Sequence, residues 1–265
     1  MRISAGLGAA LALAFSGAVG AGALEFAGEG AGIPQPPYPP AAAIAAARSY
    51  LEHRAGESAF AVLDSTGRLG GLHLSERFET ASVIKVMFLT AYLQRLAARN
   101  RSLTGAEEAI LYPMIHESNN ADASAVLGQI GESAVLRLAR EAGMEDYVPG
   151  VGWWAYSQTS AADQARLLMA LPRLIPPRFY AYARGLLTGI EPSQSWGFPP
   201  VARPRWQVLF KTGALPEEGL FNEVARLERP PVTFTVAVLT DGEPSMAYGE
   251  ETIAGVAERL LGQAP

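Results

Sequence analysis

The stretch from Phe78 to Leu96 constrains this chain more than any other, because it is an apolar run with helical periodicity and a charge in its middle. That charge is Lys85, the only one between Ala81 and Leu93. Of the 21 basic residues only Lys85 and Lys211 are lysines, so arginine supplies every other positive charge. Arginine stays protonated in a protein, whereas a buried lysine can lose its proton. The composition therefore indicates that both positions require an amine.

Length and composition exclude several classes of protein. The chain has 265 residues, of which 49% are hydrophobic, enough for one large core or two small ones. Its net charge of −5 and the lack of a dense basic cluster argue against nucleic acid as a partner. It has no cysteine and no H-E-x-x-H motif, so we expect no disulfide, metal or cofactor. The expected protein is a monomer held together by its core.

The N-terminus has the pattern of an export signal. Arg2 precedes an apolar stretch from Ala5 to Val19, and small residues follow around Ala21–Ala23. Cleavage after residue 23 would leave about 242 residues. An uncleaved anchor is the alternative, although the stretch is short and contains glycine. Residues 24–40, rich in Gly and Pro, are predicted to be a tether, and we expect a secreted or extracytoplasmic protein without stable membrane insertion.

Residues 41–265 show a helical and strand pattern typical of an α+β fold. In order, the predicted elements are a helix over Ala41–His53, strands over Ser58–Asp64 and Leu69–Leu74, the central apolar helix, helices over Gly105–Glu117, Ala121–Ile130, Glu132–Gly143 and Ser160–Leu171, strands over Trp206–Lys211, Leu220–Leu227 and Val232–Thr240, and a closing helix over Glu250–Leu261. We expect a five-stranded antiparallel sheet flanked by the N- and C-terminal helices. An α/β lobe (41–78 and 195–265) would carry an inserted all-α lobe (79–194).

Ser82 and Lys85 form the first candidate catalytic pair. They lie three residues apart at the predicted start of a helix, so their side chains share a face. A hydroxyl beside a desolvated amine is the arrangement of a nucleophilic serine activated by a lysine base. The alternative is a capping serine with a lysine whose amine reaches out of a core helix. The spacing alone is weak, but the scarcity of lysine strengthens it.

Two further motifs follow along the chain. Ser118 and Asn120 lie in a predicted turn between helices, where helix capping is the alternative role. Lys211-Thr212-Gly213 ends an apolar strand, and its glycine allows a ligand or another chain to approach the backbone. A buried lysine there would attract a substrate carboxylate. A strand that simply enters a turn is the alternative.

In this order, Ser82-x-x-Lys85, Ser118-x-Asn120 and Lys211-Thr212-Gly213 resemble the three motifs of the penicillin-recognising serine enzymes. The likeness extends from about Ala41 to Leu261, and FETASVIKV is most similar to the class A β-lactamases. The resemblance implies an acyl-serine mechanism. It implies that Ser82 is the nucleophile, that Lys85 is the base and that Ser118 relays protons. Asn120 would bind the amide of the substrate, and Lys211 and Thr212 of the motif that ends at Gly213 would bind its carboxylate. The backbone amides of Ser82 and Ala214 would form the oxyanion hole.

The chain departs from the class A pattern in three places. The second motif is S-N-N rather than S-D-N, and the spacing between the first two motifs is shorter than usual. Above all, the loop Asp146–Gln158 has no glutamate and no match to E-x-x-L-N, which supplies the family's deacylating base. Trp153 and Trp154 indicate an apolar wall or an aromatic platform there. We therefore expect deacylation to be slow.

Other carboxylates near this loop are predicted to be solvated or structural. They are Glu141, Glu145, Asp146 and Asp163, the last explained by a capping box with Ser160.

The sequence thus predicts an exported serine hydrolase of the class A β-lactamase type, acting on a small-molecule β-lactam or on D-alanyl-peptide amide bonds. A D-alanyl-D-alanine peptidase or another cell-wall amidohydrolase is the first alternative. A non-catalytic wall-associated binding module is the second. A serine-histidine-acid hydrolase is disfavoured because the chain has no G-x-S-x-G motif and its three histidines form no pattern.

Overall fold

The structure is a computed structural model that describes residues 38–262. The predicted export signal and residues 24–37 of the predicted tether lie outside this part. Within it, no helix is both long and apolar enough to span a membrane.

The described chain runs from one helix into strands, then through a series of helices, and returns to strands before a last helix. The elements are α1 (Ala41–Leu51), β1 (Glu57–Asp64), β2 (Leu69–Leu72), β3 (Arg77–Glu79), α2 (Lys85–Ala98), α3 (Gly105–His116), α4 (Asn120–Ile130), α5 (Glu132–Ala142), β4 (Gln158–Ser160), α6 (Ala161–Leu174), α7 (Pro177–Thr188), α8 (Phe198–Ala202), β5 (Gln207–Leu215), β6 (Leu220–Arg229), β7 (Val232–Asp241) and α9 (Met246–Leu261).

The main sheet has five antiparallel strands in the order β2-β1-β7-β6-β5. The expected α+β fold with one five-stranded sheet is confirmed. Strand β7 pairs with both β1 and β6, which joins the two ends of the chain in one sheet. Strand β5 lies at the edge, so one side of its backbone is free for other contacts.

Contacts of the central strands show what covers each face of the sheet. On one face Phe221 packs so closely on α9 that a Cβ at Gly249 would lie 2.3 Å from its ring. On the other face Thr235 donates a hydrogen bond of 2.8 Å to the carbonyl of Ala165 in α6. The sheet is therefore enclosed between the terminal helices and the helices inserted between β2 and β5.

The start of the apolar run is not helical, which corrects the prediction. Phe78 lies in β3 opposite Thr159 of β4, and a 3₁₀ turn over Ala81–Ile84 precedes α2. Ala81 has φ +44°, outside the right-handed helical region, so a regular helix cannot pass through it. The α-helix begins at Lys85 itself.

Two boundaries of the C-terminal elements also differ. Strand β5 continues past Lys211 to Leu215, because its pairing with β6 extends to the pair Leu215–Leu220. The Lys-Thr-Gly motif therefore lies inside an edge strand and not at a strand end. Helix α9 begins at Met246 because the Ser245 side chain caps it, accepting a hydrogen bond from the Tyr248 amide at 3.2 Å.

Of the capping box predicted at the start of α6, only the Ser160 side-chain bond is present. Ser160 does cap the helix, accepting from the amide of Asp163 at 3.2 Å. The Asp163 carboxylate, however, accepts from the amides of Glu145 and Asp146, at 2.8 and 2.9 Å. This buried side chain therefore fastens the start of the 146–158 loop, because unpaired amides and an unpaired carboxylate are costly to bury.

Candidate active site

Ser82 lies on the 3₁₀ turn, where the edge strand β5 approaches it closely. A Cβ at Gly213 would lie 2.7 Å from the backbone nitrogen of Ser82 and 3.0 Å from that of Val83. Any larger residue would push the strand away from the turn. The absence of a side chain at this position therefore brings the N–H groups of the turn and the β5 backbone together, as an oxyanion hole requires.

Lys85 is fully buried at the first turn of α2 and reaches the serine directly. Its Nζ lies 2.9 Å from Ser82 Oγ and 3.0 Å from Ser118 Oγ. It also lies 2.5 Å from the carbonyl oxygen of Ser118 and 2.7 Å from Asn120 Oδ1. One amine therefore joins residues of the first two motifs.

The protonation of Lys85 follows from its surroundings. Burial, and to a smaller degree the positive charge of Lys211, lower the pKa of Lys85 to about 6. Near neutral pH the amine then has two N–H groups and a lone pair. The Ser118 carbonyl and Asn120 Oδ1 can only accept, so they take the two N–H groups. The lone pair is left to accept a proton from the Ser82 or the Ser118 hydroxyl, which is the task of a general base.

Ser118 and its neighbours form a tight connection between α3 and α4. Ser118 has φ +59°, a left-handed conformation that turns both its hydroxyl and its carbonyl toward Lys85. Asn119 caps α4 by accepting from the amide of Asp122 at 3.1 Å. Aspartate and asparagine cap helices equally well, which explains how the S-N-N sequence keeps this geometry.

Lys211 is the second fully buried lysine. Its Nζ donates to Gln194 Oε1 at 3.2 Å and to the carbonyl of Thr212 at 3.1 Å. Burial lowers the pKa of Lys211 to about 7, while the nearby charge of Glu191 acts in the opposite direction. Thr212 Oγ1 donates to the backbone carbonyl of Gln194 at 3.3 Å. Both side chains thus contact the 3₁₀ turn Pro192–Gln194.

A cleft of about 220 Å³ joins these groups. It is lined by Ser82, Glu117, Ser118, Asn120, Ser193, Gln194, Trp196, Thr212, Gly213, Ala214 and Met246. The structure therefore brings six of the eight predicted site residues to one cleft, and the other two, Lys85 and Lys211, lie behind it with their amines bonded to its lining.

The wall beside Lys85 is aromatic. The Trp154 ring centroid lies 5.0 Å from Lys85 Nζ, and the ring packs edge-on against Phe88 at 5.7 Å. Trp154 Nε1 donates to Ser124 Oγ at 3.0 Å, which holds the indole in place. Within residues 38–262, Lys85 Nζ has no carboxylate partner. The expected apolar wall therefore adjoins the amine itself.

The carboxylates of the neighbouring segment point elsewhere. The Glu145 side chain is 76% exposed and lies 3.8 Å from Arg166. Glu141 accepts from the side-chain amide of Gln94 at 3.0 Å. Neither contacts the nucleophile. In the described part of the chain no group of three His, Asp or Glu side chains is placed to hold a metal ion.

The sequence does not reveal the roles of two residues at the site. Gln194 was not identified, because a single glutamine in a Pro-containing turn carries no recognisable pattern. The sequence predicts a wall or platform that includes Trp154 but not the approach of its ring to Lys85, which depends on how the loop folds back over α2. His116, by contrast, stacks on Tyr112 with centroids 4.7 Å apart and hydrogen-bonds to the Gly189 carbonyl, which is a packing role.

Comparison with known proteins identifies the family. The model of the beta-lactamase enzyme family matches residues 106–264, which is more than half of the chain. The chain belongs to this family and is a serine hydrolase of the β-lactamase type. The matched segment contains the second and third motifs, and the Ser82 motif precedes it. No curated protein matches the chain significantly in sequence.

Solved structures show the same fold. A beta-lactamase from Sphaerobacter thermophilus is 21% identical, with a TM-score of 0.75 over 84% of this chain and 98% of the other. A beta-lactamase from Xanthomonas campestris is 18% identical, with a TM-score of 0.70 over 83% and 96% of the two chains. A protein described as PBP-A is 14% identical, with a TM-score of 0.72 over 86% and 97%.

Proposed function

We propose that this protein is an exported acyl-serine hydrolase that opens a β-lactam or a D-alanyl-peptide amide bond and releases the acyl group slowly. The observation that carries the proposal is the buried Lys85 amine, which lies 2.9 Å from Ser82 Oγ and 5.0 Å from the Trp154 ring and has no carboxylate partner within residues 38–262.

In the first half-reaction, Ser82 Oγ attacks the carbonyl carbon of the amide while Lys85 Nζ accepts its proton. The developing oxyanion is stabilised by the backbone N–H groups of Ser82 and Ala214. The proton passes from Lys85 through Ser118 Oγ, 3.0 Å from Nζ, to the amide nitrogen as the carbon–nitrogen bond breaks. Asn120 binds the amide of the substrate, and Lys211 and Thr212 bind its carboxylate.

The second half-reaction requires a water molecule activated by a base. Trp154 fills the space next to Lys85 and offers no proton acceptor. The exposed Glu145 points away from the nucleophile. A typical enzyme turns over at about 10 s⁻¹, so loss of one general base predicts deacylation at ~10⁻¹ to 10⁻³ s⁻¹.

A D-alanyl-D-alanine peptidase, or another cell-wall amidohydrolase, is the second candidate for the natural activity. Slow release of a β-lactam is compatible with an enzyme that evolved for peptides. The structural likeness to PBP-A as well as to beta-lactamases supports keeping both substrates in the proposal. A wall-associated binding module without catalysis is the remaining alternative, and covalent labelling of Ser82 separates it from both enzymes.

Intact-mass spectrometry after exposure to benzylpenicillin tests the proposal. We expect one added penicilloyl mass on the parent protein and on Ser193→Ala, a control that changes another serine of the cleft. Ser82→Ala should show no adduct. A penicilloyl group on the alanine variant, or on a residue other than Ser82, would refute the assignment.

Stopped-flow with a chromogenic cephalosporin tests slow deacylation. We expect a burst equal to the enzyme concentration, followed by turnover at ~10⁻¹ to 10⁻³ s⁻¹. Hydrolysis at about 10 s⁻¹ without a burst would show that another group activates the water.

A further inference from the structure

Gln194 forms a bridge across the active-site cleft. Its Nε2 donates to the carbonyl of Glu117 at 2.7 Å and to Glu191 Oε1 at 3.0 Å. Its Oε1 accepts from Lys211 Nζ at 3.2 Å. Both ends of the amide thus have partners of the correct polarity, which fixes its orientation. The side chain joins the end of α3 to the third motif on β5.

The backbone of Gln194 is held independently of its side chain. Its N–H donates to the Glu191 carbonyl at 3.1 Å, and the Ser195 N–H donates to the Pro192 carbonyl at 3.1 Å. The turn can therefore stay in place while the half-buried side chain changes rotamer.

The two groups assigned to the substrate carboxylate, Lys211 Nζ and Thr212 Oγ1, are the same groups that bond to Gln194. A carboxylate that approaches them competes with a neutral carboxamide oxygen for the ammonium. An ammonium bonds more strongly to a carboxylate than to a neutral carboxamide oxygen, so a carboxylate displaces Gln194 but loses part of its binding energy in doing so. An uncharged ligand lacks that advantage.

Resting on the proposed function, we propose that Gln194 is a specificity-determining residue that closes the Lys211 subsite in the free protein and opens only for ligands that carry a carboxylate. Its removal should strengthen carboxylate binding, because the competing acceptor is lost. Replacement of Gln194 by glutamate should weaken the binding of a carboxylate ligand, because the glutamate carboxylate would pair with the Lys211 ammonium.

The chain offers a direct readout, because Lys85 and Lys211 are its only lysines. Lysine labelled with ¹³C at Cε gives two NMR signals, which Lys85→Arg and Lys211→Arg assign. N-phenylacetylglycine serves as the carboxylate probe, and its primary amide is the matched uncharged probe. The shift of the Lys211 signal during titration yields Kd in the parent, Gln194→Ala and Gln194→Glu proteins. The control is Gln94→Ala, which truncates a glutamine bonded to Glu141 outside the cleft.

We expect Gln194→Ala to bind N-phenylacetylglycine about tenfold more tightly than the parent, the effect of removing one hydrogen bond to a charged group. Gln194→Glu should bind it at least about tenfold more weakly. The amide probe should gain less than the carboxylate from Gln194→Ala, and Gln94→Ala should leave both Kd values unchanged. An unchanged or weaker Kd in Gln194→Ala overturns the proposal, as does an equal gain for both probes or the absence of a Lys211 shift in every protein.

The test separates this inference from the proposed function, since the probe binds without being cleaved. If the Kd values follow the expected order but penicillin never acylates Ser82, the catalytic proposal fails and the role of Gln194 stands. If Ser82 is acylated but Gln194→Ala leaves Kd unchanged, the role of Gln194 is wrong and the catalytic proposal stands.

Discussion

The surroundings of Lys85 and Lys211 differ although both lysines are fully buried and both have a lowered pKa. Lys85 has two hydroxyls, a carbonyl, a side-chain amide and an indole around its amine, and no anion from the described residues 38–262. Lys211 has the carboxylate of Glu191 nearby, which acts against the effect of burial.

The difference in surroundings supports the distinct roles that we propose for the two lysines. Desolvation without a counter-charge favours a neutral amine, which is a base. Desolvation with a partial counter-charge keeps the ammonium available, and an ammonium is an anchor for a carboxylate. Substituting each lysine by arginine should therefore have unequal effects, because arginine retains the charge but cannot act as a base.

Lys85→Arg should give the largest effect. A guanidinium cannot accept the Ser82 proton, so we expect acylation to slow by ~10² to 10⁴-fold, close to the loss in Lys85→Ala. The rate of penicilloyl formation, followed by quenched-flow mass spectrometry, measures this. Acylation by the arginine variant near the parent rate would mean that Lys85 is only an electrostatic or structural residue.

Trp154→Glu should place a carboxylate beside Lys85 that can act as a general base for deacylation. A carboxylate next to the acyl-serine would activate water, and we expect deacylation to accelerate by up to about 10²-fold. It should also raise the pKa of Lys85, because a negative charge stabilises the ammonium. Steady-state turnover after the burst measures the first effect.

The matched control for this change is Trp154→Gln, which removes the same ring without adding a base. Both variants lose a buried aromatic side chain, so melting temperatures must show that they fold at the assay temperature. Equal acceleration in the glutamine variant would attribute the gain to water entry alone.

The pH dependence of acylation efficiency should have two limbs. Lys85 must be neutral, so the rate falls below its pKa of about 6, by about tenfold per pH unit. Lys211 must be charged to hold a carboxylate, so efficiency also falls above its pKa of about 7. The acylation rate constant divided by the half-saturating concentration, measured from pH 4.5 to 9, should therefore be bell-shaped. A profile that is flat from pH 5 to 9 would contradict both assignments.

Lys211→Arg should give the smallest effect. Arginine still binds a carboxylate, so we expect a several-fold increase in the half-saturating concentration, which corresponds to about 1 kcal/mol, with little change in the maximal acylation rate. Because arginine does not deprotonate, the alkaline limb of the pH profile should disappear while the acid limb remains. A large loss of maximal rate would instead place Lys211 in the chemical step.

Most of the fold and the identities of the motif residues could be predicted from the sequence. Short apolar runs bounded by turn residues located all five strands of the main sheet, as expected for strands that are covered on both faces. The predicted boundaries of helices and strands were wrong where tertiary contacts outweighed local sequence preference. The apolar pattern places Phe78 at the start of a helical run, but in the structure Phe78 pairs with Thr159, a residue 81 positions away that no local pattern connects to it.

The sequence by itself determined that two lysines are exceptional in an arginine-rich chain, that Ser82, Ser118 and Lys211 lie in three motifs, and that the 146–158 loop lacks a glutamate. These are properties of composition and spacing, which do not depend on how the chain folds. Only the tertiary structure decided that Trp154 lies against Lys85 and that Gln194 accepts a hydrogen bond from Lys211. Burial, pKa and competition for a hydrogen bond depend on distances between segments far apart in sequence, so packing alone sets them.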